Sequence, residues 1–232
     1  MSKSYKVQYF GSEGRENLSA VIKCIRLFLR SADTEVVAPK KVVFMTREGE
    51  GPMLAHSQLQ AEDLKIIAVT FPRRYAGKNL DETIFMPEIS DRVRKFFQAF
   101  DIPIVTSRLP FDDIMGSESH NHDMTLLRNA LALFGGSVPL AVQAVLQAAD
   151  AGYVDIGEQV IVATGDTALL VTASTTRLFL ANDSRGLSVN EIICKPRILN
   201  RTRKVRVPQL SSPTQQVNQI EGSPHDIQAN RE

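Results

Sequence analysis

Four hydrophobic runs in this chain, residues 42–46, 66–70, 102–106 and 160–164, each end on a threonine: Thr46, Thr70, Thr106 and Thr164. Short runs rich in β-branched residues and closed by turn signals read as buried strands. Between them the apolar spacing changes to that of helices. Residues 18–29 bring Val21, Ile22, Ile25, Leu27, Phe28 and Leu29 largely to helical spacing, with Asn17 or Ser19 as the cap. Pro52 suits the first turn of a helix over residues 53–62. Residues 88–100 carry Ile89, Val93, Phe96, Phe97 and Phe100 on one face. Two more helices are expected over residues 124–134 and 138–152, separated by Gly135-Gly136.

At the chain's ends the pattern is thinner. Residues 6–10 suit a lead-in strand, and 11–17 (GSEGREN) a turn-rich loop. Residues 159–164 and 168–174 are strand-like and separated only by Gly165-Asp166-Thr167. So tight a connection predicts a hairpin, with the later strand antiparallel to its neighbour. A short strand over 190–195 ends the patterned region, and the Gln/Ser/Pro/Asn-rich residues 207–232 have the composition of a disordered segment. Alternating strands and helices predict an α/β domain with a largely parallel sheet covered on both faces.

If the four threonine-ended strands are parallel, their carboxyl ends share one edge of the sheet. Arg47, Arg73 and Arg108 closely follow three of them and Gly165 follows the fourth. Open α/β sheets bind ligands at that edge, where the strand order reverses. Hydroxyls, guanidinium groups and backbone N–H groups gathered there suit a small anion, although β-branched threonine also favours strand ends for its own reasons. Gly14-Arg15-Glu16-Asn17 precedes a helix start, where backbone N–H groups and a bidentate Arg15 can meet an anion; alternatively Arg15 pairs with Glu16 while Asn17 caps the helix. The loop from Thr46 and Arg47 through Gly49 also leads into a helix, without the Gly-Lys-Ser/Thr of a phosphate-binding P-loop. Its Glu48 and Glu50 suit a ribose hydroxyl or a cation. Asp166 can accept from a sugar hydroxyl and Thr167 can donate to a phosphate, yet Asp-containing tight turns also occur without ligands.

Composition narrows the classes. Of 232 residues, 43% are hydrophobic and 23% charged, ordinary values for a soluble protein. Aromatic content of 6% without tryptophan supplies few platforms for stacking on single-stranded nucleic acid. With no bilayer-length apolar stretch and no apolar signal-peptide core, a cytoplasmic protein is expected. Cys24 and Cys194 lie far apart in apolar-patterned segments and read as buried thiols. The net charge of +1 is uneven: from Lys195 onward there are seven Lys/Arg against three acids, so the remainder is mildly acidic. The run from Lys195 to Arg206 suits nucleic acid or an acidic partner as well as plain solvation. His120-Asn121-His122-Asp123 has metal-ligating residue types, but Asp123 also suits a helix cap.

YFGSEGREN near the start, VVFMT, KIIAVTFP and the late EIICKPR resemble a family of stand-alone proteins related to the regulatory, C-terminal domain of pyruvate kinase. The most specific pieces are Gly14-Arg15-Glu16-Asn17 and Glu191 through Arg197, and the resemblance covers residues 6–197. It implies a three-layer α/β/α domain over residues 1–197 with strand order 3-2-1-4-5 and strand 5 antiparallel; beyond it, residues 198–232 read from charge and composition as a basic, then polar tail. It places the topological switch between the strands ending at Thr46 and Thr164. It further implies a phosphate- or nucleotide-binding role, with flavin mononucleotide (FMN) among the ligands.

The functional expectation is a binder of a phosphorylated small molecule or nucleotide. Its contacts would come from Gly14, Arg15, Glu16, Asn17, Thr46, Arg47, Gly49, Thr70, Gly165, Asp166 and Thr167. Two other readings stand beside it: an enzyme acting on that ligand, with Asp166 or Glu16 as first acid/base candidates, and an interaction module using the basic tail. A homo-oligomer is compatible with each.

Overall fold

The structure, a computed structural model, describes residues 6–31, 39–78, 83–111, 122–181 and 183–198. All belong to one compact unit, Met1–Arg201. The expected tail from 198 therefore falls almost entirely outside the described residues.

Nine strands are described: β1 (Gln8–Phe10), β2 (Lys41–Met45), β3 (Lys65–Thr70), β4 (Gly77–Lys78), β5 (Ile84–Phe85), β6 (Ile104–Thr106), β7 (Gln159–Ala163), β8 (Ala168–Thr172) and β9 (Ser188–Pro196). The helices are α1 (Leu18–Ser31), α2 (Glu50–Gln58), α3 (Asp91–Ala99), α4 (His122–Leu131), α5 (Val138–Asp150) and α6 (Thr176–Leu180). Seven strands form one mixed, largely parallel sheet in the order β1-β9-β8-β7-β2-β3-β6. This corrects the expected five-strand order. The run β6-β3-β2-β7-β8 has the expected neighbours and an antiparallel β8, but the sheet continues through β9 and β1. β9 pairs antiparallel with β8, and β1 pairs parallel with β9. A nine-residue β9 presents enough backbone donors and acceptors to recruit β1 as well as β8, whereas the sequence pattern alone predicts only residues 190–195 as a strand. β4 and β5 form a separate antiparallel ribbon.

Alternation along the strands sends side chains to two cores. Val42, Phe44, Ile66, Ala68, Ile161 and Ala163 meet α1, α2 and α3. Val43, Met45, Ile67, Val69, Val160 and Val162 meet α5, whose residues from Val138 to Ala149 are buried except Leu140. Central strands buried on both faces need continuous apolar runs, which is the pattern that identifies them in sequence.

Several boundaries shift for local reasons. α2 begins three residues before the expected start, because Gly49 adopts a left-handed conformation (φ 95°) and turns the chain into the helix directly. Asn17 does not cap α1. It ends a 3₁₀ turn, Arg15–Asn17, that runs straight into the helix, and its amide donates to the carbonyls of Ser12 and Gly14 at 2.9 and 3.1 Å. No described helix is long and apolar enough to cross a membrane.

Candidate functional site

The parallel arrangement of β2, β3, β6 and β7 gathers Thr46, Thr70, Thr106 and Thr164 at one edge of the sheet. Three sequence-separated loops meet there, beyond the adjacent ends of β2 and β7. They are the Gly14–Asn17 segment, the loop after Thr46 and the Gly165–Thr167 turn.

Asp166 joins two of them. Its Oδ2 accepts the backbone N–H of Gly14 at 3.0 Å, and its Oδ1 accepts the hydroxyls of Thr167 at 2.9 Å and Thr164 at 3.3 Å. At 4% exposure the carboxylate is out of reach of a sugar hydroxyl, so its work is to hold the loop against the turn. Thr167 is fully buried and is likewise a structural partner. Gly165 lies under the loop: a Cβ there would stand 3.1 Å from the Arg15 Cα. Gly14, at φ 145°, has a conformation suited to glycine, with the Glu16 carboxylate folded over its Cα. On the far side Glu13 extends the same loop, accepting the Gly136 N–H at 2.9 Å.

The loop after β2 is held in a comparable way. The Thr46 hydroxyl donates to Glu50 Oε2 and accepts the Gly49 N–H, both at 2.9 Å, while the Glu48 N–H donates to the same Glu50 oxygen at 3.1 Å. Glu50 thus sets its own carboxylate at the amino end of α2, where negative charge is favoured. Thr46 and Gly49 are fixed within this network. Gly49 also packs tightly under α3, since a Cβ would approach Val93 Cγ1 to 2.5 Å.

Arg15 faces outward, while Arg47 is half-buried. Arg15 lies 3.9 Å from Glu48, both well exposed. The Arg47 guanidinium is centred 3.6 Å over the ring of Phe85. Its pKa is lowered, first by burial and then by the positive charge of Arg15, with Glu50 and Glu48 opposing. Arg15 reaches Glu48, the neighbour of Arg47, so both arginines border the loop after β2. Arg73 and Arg108 are exposed. Thr70 is 4% exposed, and its Oγ1 is buried without a hydrogen-bond partner. By strand alternation it shares the face of Ile66 and Ala68, beside Thr46.

Behind Phe85 the rings of Tyr75 and Phe71 continue an aromatic cluster, with Phe71 and Tyr75 centroids 4.9 Å apart. Tyr75 also borders a cleft of about 280 Å³ on the α5 side, lined by Leu109, Arg128, Asn129, Pro139, Leu140 and Gln143 among others. Gln143 closes its floor, accepting the Phe111 N–H at 2.8 Å and donating to the Pro139 carbonyl at 3.1 Å. Sequence reasoning passes over Phe85, Tyr75 and Arg128. They sit in short, aperiodic or separate segments, and only the positive, aromatic and glycine-rich character of residues 71–77 hints at them.

Among the described residues no group of three or more His, Cys, Asp or Glu side chains is arranged to hold a metal ion. His120 and Asn121 lie outside those residues. No protein-family model matches the chain, and no curated protein sequence does.

Proposed function

We propose that this protein binds a phosphorylated small molecule, a mononucleotide such as FMN included, in the crevice beyond β2 and β7. The observation that carries the reading is that Arg15 and Arg47, from segments distant in sequence, border one loop cluster, with Arg15 3.9 Å from Glu48, the residue after Arg47. Bringing two cations together costs free energy, and an anion between them relieves that cost. A phosphate offers oxygens to both forks.

The expected site residues then divide into two groups. Arg15 and Arg47 contact the anion, while the enclosed Thr70 hydroxyl does not reach it and Gly165 lets the Arg15 backbone pass close by. Gly14, Glu16, Asn17, Thr46, Gly49, Asp166 and Thr167 shape and fix the loops. Kinship to the pyruvate kinase C-terminal domain is consistent with this placement, because the switch between oppositely progressing strands falls at the same crevice. An acid/base role for Asp166 gains no support, since its oxygens are already engaged by three donors.

Isothermal titration of the full chain with inorganic phosphate and with FMN tests the reading. Arg15→Ala and Arg47→Ala should each weaken binding at least about tenfold, the scale of one lost charge-assisted contact. Unchanged affinity in both variants, or no binding of either probe to the parent protein, would overturn it.

A further inference from the structure

The cleft of about 280 Å³ beside α5 draws its lining from three separate parts of the chain. Tyr75 comes from the loop after β3, Leu109 from the loop after β6, and Arg128, Pro139, Leu140 and Gln143 from α4 and α5. Leu109 and Pro139 are buried and Tyr75 and Leu140 partly so, which gives apolar walls around one aromatic ring.

Two polar groups bound this apolar space. At the floor Gln143, 2% exposed, accepts the Phe111 N–H and donates one Nε2 hydrogen to the Pro139 carbonyl. A glutamine amide has two hydrogens and two lone pairs, so one of each is left over. At the mouth Arg128, in the last turn of α4, is exposed. Its guanidinium has no hydrogen-bond or ion-pair partner among the described residues. Gly136 also lines the cleft, and its N–H donates to Glu13 at 2.9 Å, so a carboxylate is bonded to the rim.

We propose that this cleft binds a small aromatic carboxylic acid, a single ring carrying one carboxylate on a short linker, at a site distinct from the phosphate crevice. The ring enters between Tyr75, Leu109 and Leu140, where burial of apolar surface favours it and an edge or offset contact with the phenol ring orients it. The carboxylate meets the Arg128 fork in a charge-assisted contact. Size and charge set the class. An apolar cavity of about 150 Å³ accepts benzene, so the larger volume here has room for one ring with a short side chain. With one cation lining the cleft and the Glu13 carboxylate on its rim, a monoanion is accommodated better than the dianion of a phosphate ester.

The test is a heteronuclear NMR titration of the full chain with phenylacetate. The expected dissociation constant is about 1 mM or tighter, the scale open to a ligand of about ten heavy atoms. The Gln143 side-chain amide and the Leu140 N–H should shift along the same binding curve. Arg128→Ala and Arg128→Glu alter an exposed side chain and should each weaken binding about fivefold or more. Arg15→Ala and Arg47→Ala should leave phenylacetate affinity unchanged, so this site and the phosphate crevice stand or fall separately. A parent affinity weaker than roughly 20 mM, no shift at Gln143 and Leu140, parent-like affinity in either Arg128 variant, or loss of binding in Arg15→Ala or Arg47→Ala would each overturn the proposal.

Discussion

The backbone N–H of Gly14 donates to the Asp166 carboxylate at 3.0 Å, joining the loop after the first strand to the turn between β7 and β8. The same carboxylate takes two threonine hydroxyls, so one buried side chain fixes both loops. Asp166→Ala removes three acceptor contacts and leaves their donors in a mostly water-poor place. Its expected cost is about 2–3 kcal/mol, read as a lower urea midpoint at unchanged slope. A variant within about 0.5 kcal/mol of the parent would show that the loop does not depend on this contact.

The tight approach of Arg15 to Gly165 gives a second expectation. In Gly165→Ala the new Cβ would stand 3.1 Å from the Arg15 backbone, so the loop must move by a few tenths of an ångström. Phosphate affinity should fall together with a stability loss of about 1 kcal/mol. Gly11→Ala, with nothing within 4 Å of its Cβ, is the matched control and should leave both unchanged. Equal behaviour of the two variants would refute the close-approach argument.

Thr70 carries a buried hydroxyl with no partner. Replacing it with the nearly isosteric valine should leave stability unchanged or raise it by up to about 1 kcal/mol, because an unsatisfied polar group is removed. Affinity for phosphate should stay the same, because the hydroxyl is enclosed. A stability loss of more than about 1 kcal/mol would show that the hydroxyl is satisfied in the fold after all.

Phe85 supports Arg47 from below at 3.6 Å. Phe85→Leu keeps an apolar side chain but removes the ring face. The expected loss is about 0.5–1 kcal/mol of cation–π attraction, seen as a two- to fivefold weaker phosphate affinity (roughly, by the affinity relation). In an Arg47→Ala background the same change should have no further effect on binding.

Asp183, in the turn before β9, accepts from Arg185 Nε and Nη2 at 3.0 and 3.1 Å and from the Arg185 N–H at 2.9 Å. These bonds lower its pKa from the ordinary 3.8 to about 2. A depressed carboxylate pKa stabilises the fold above the ordinary value, and that contribution is lost as pH falls through about 2. Thermal melts of Asp183→Asn should therefore show a flatter acid dependence than the parent between pH 3.8 and about 2. Parallel curves would refute the assignment.

The central strands were legible because burial on both faces demands unbroken apolar runs such as Val42–Met45 and Val160–Ala163. The helices α1 and α3 were legible because one buried face imposes helical spacing on Ile22, Ile25, Val93 and Phe97. The β7–β8 hairpin followed from a linker too short for a crossover. The full extent of β9 was hidden, since Ser188–Glu191 lies at a polar, exposed end of the strand with little hydrophobic signal. α6 and the β4–β5 ribbon are too short to carry a period.

At the candidate site, the residue types and the shared edge were readable from strand ends. The division of labour was not. Asp166 and Thr46 look like ligand-binding groups in sequence, but their partners, Gly14 for one and Glu50 with the Gly49 N–H for the other, depend on how the loops meet.

The parallel pairing of β1 with β9 imposes an order on synthesis. Gln8–Phe10 is made well before its pairing partner, Cys194–Pro196. The loop that carries Gly14 and Arg15 begins immediately after β1, and the turn holding Asp166 is also a late product. A nascent chain can therefore assemble the β2–β3–β6 part of the sheet while this crevice is still open on one side. Truncated products ending before Asp166 would retain the arginines but lack the partner that organises one of them. Completion of the crevice is thus coupled to translation of the domain through its final strand.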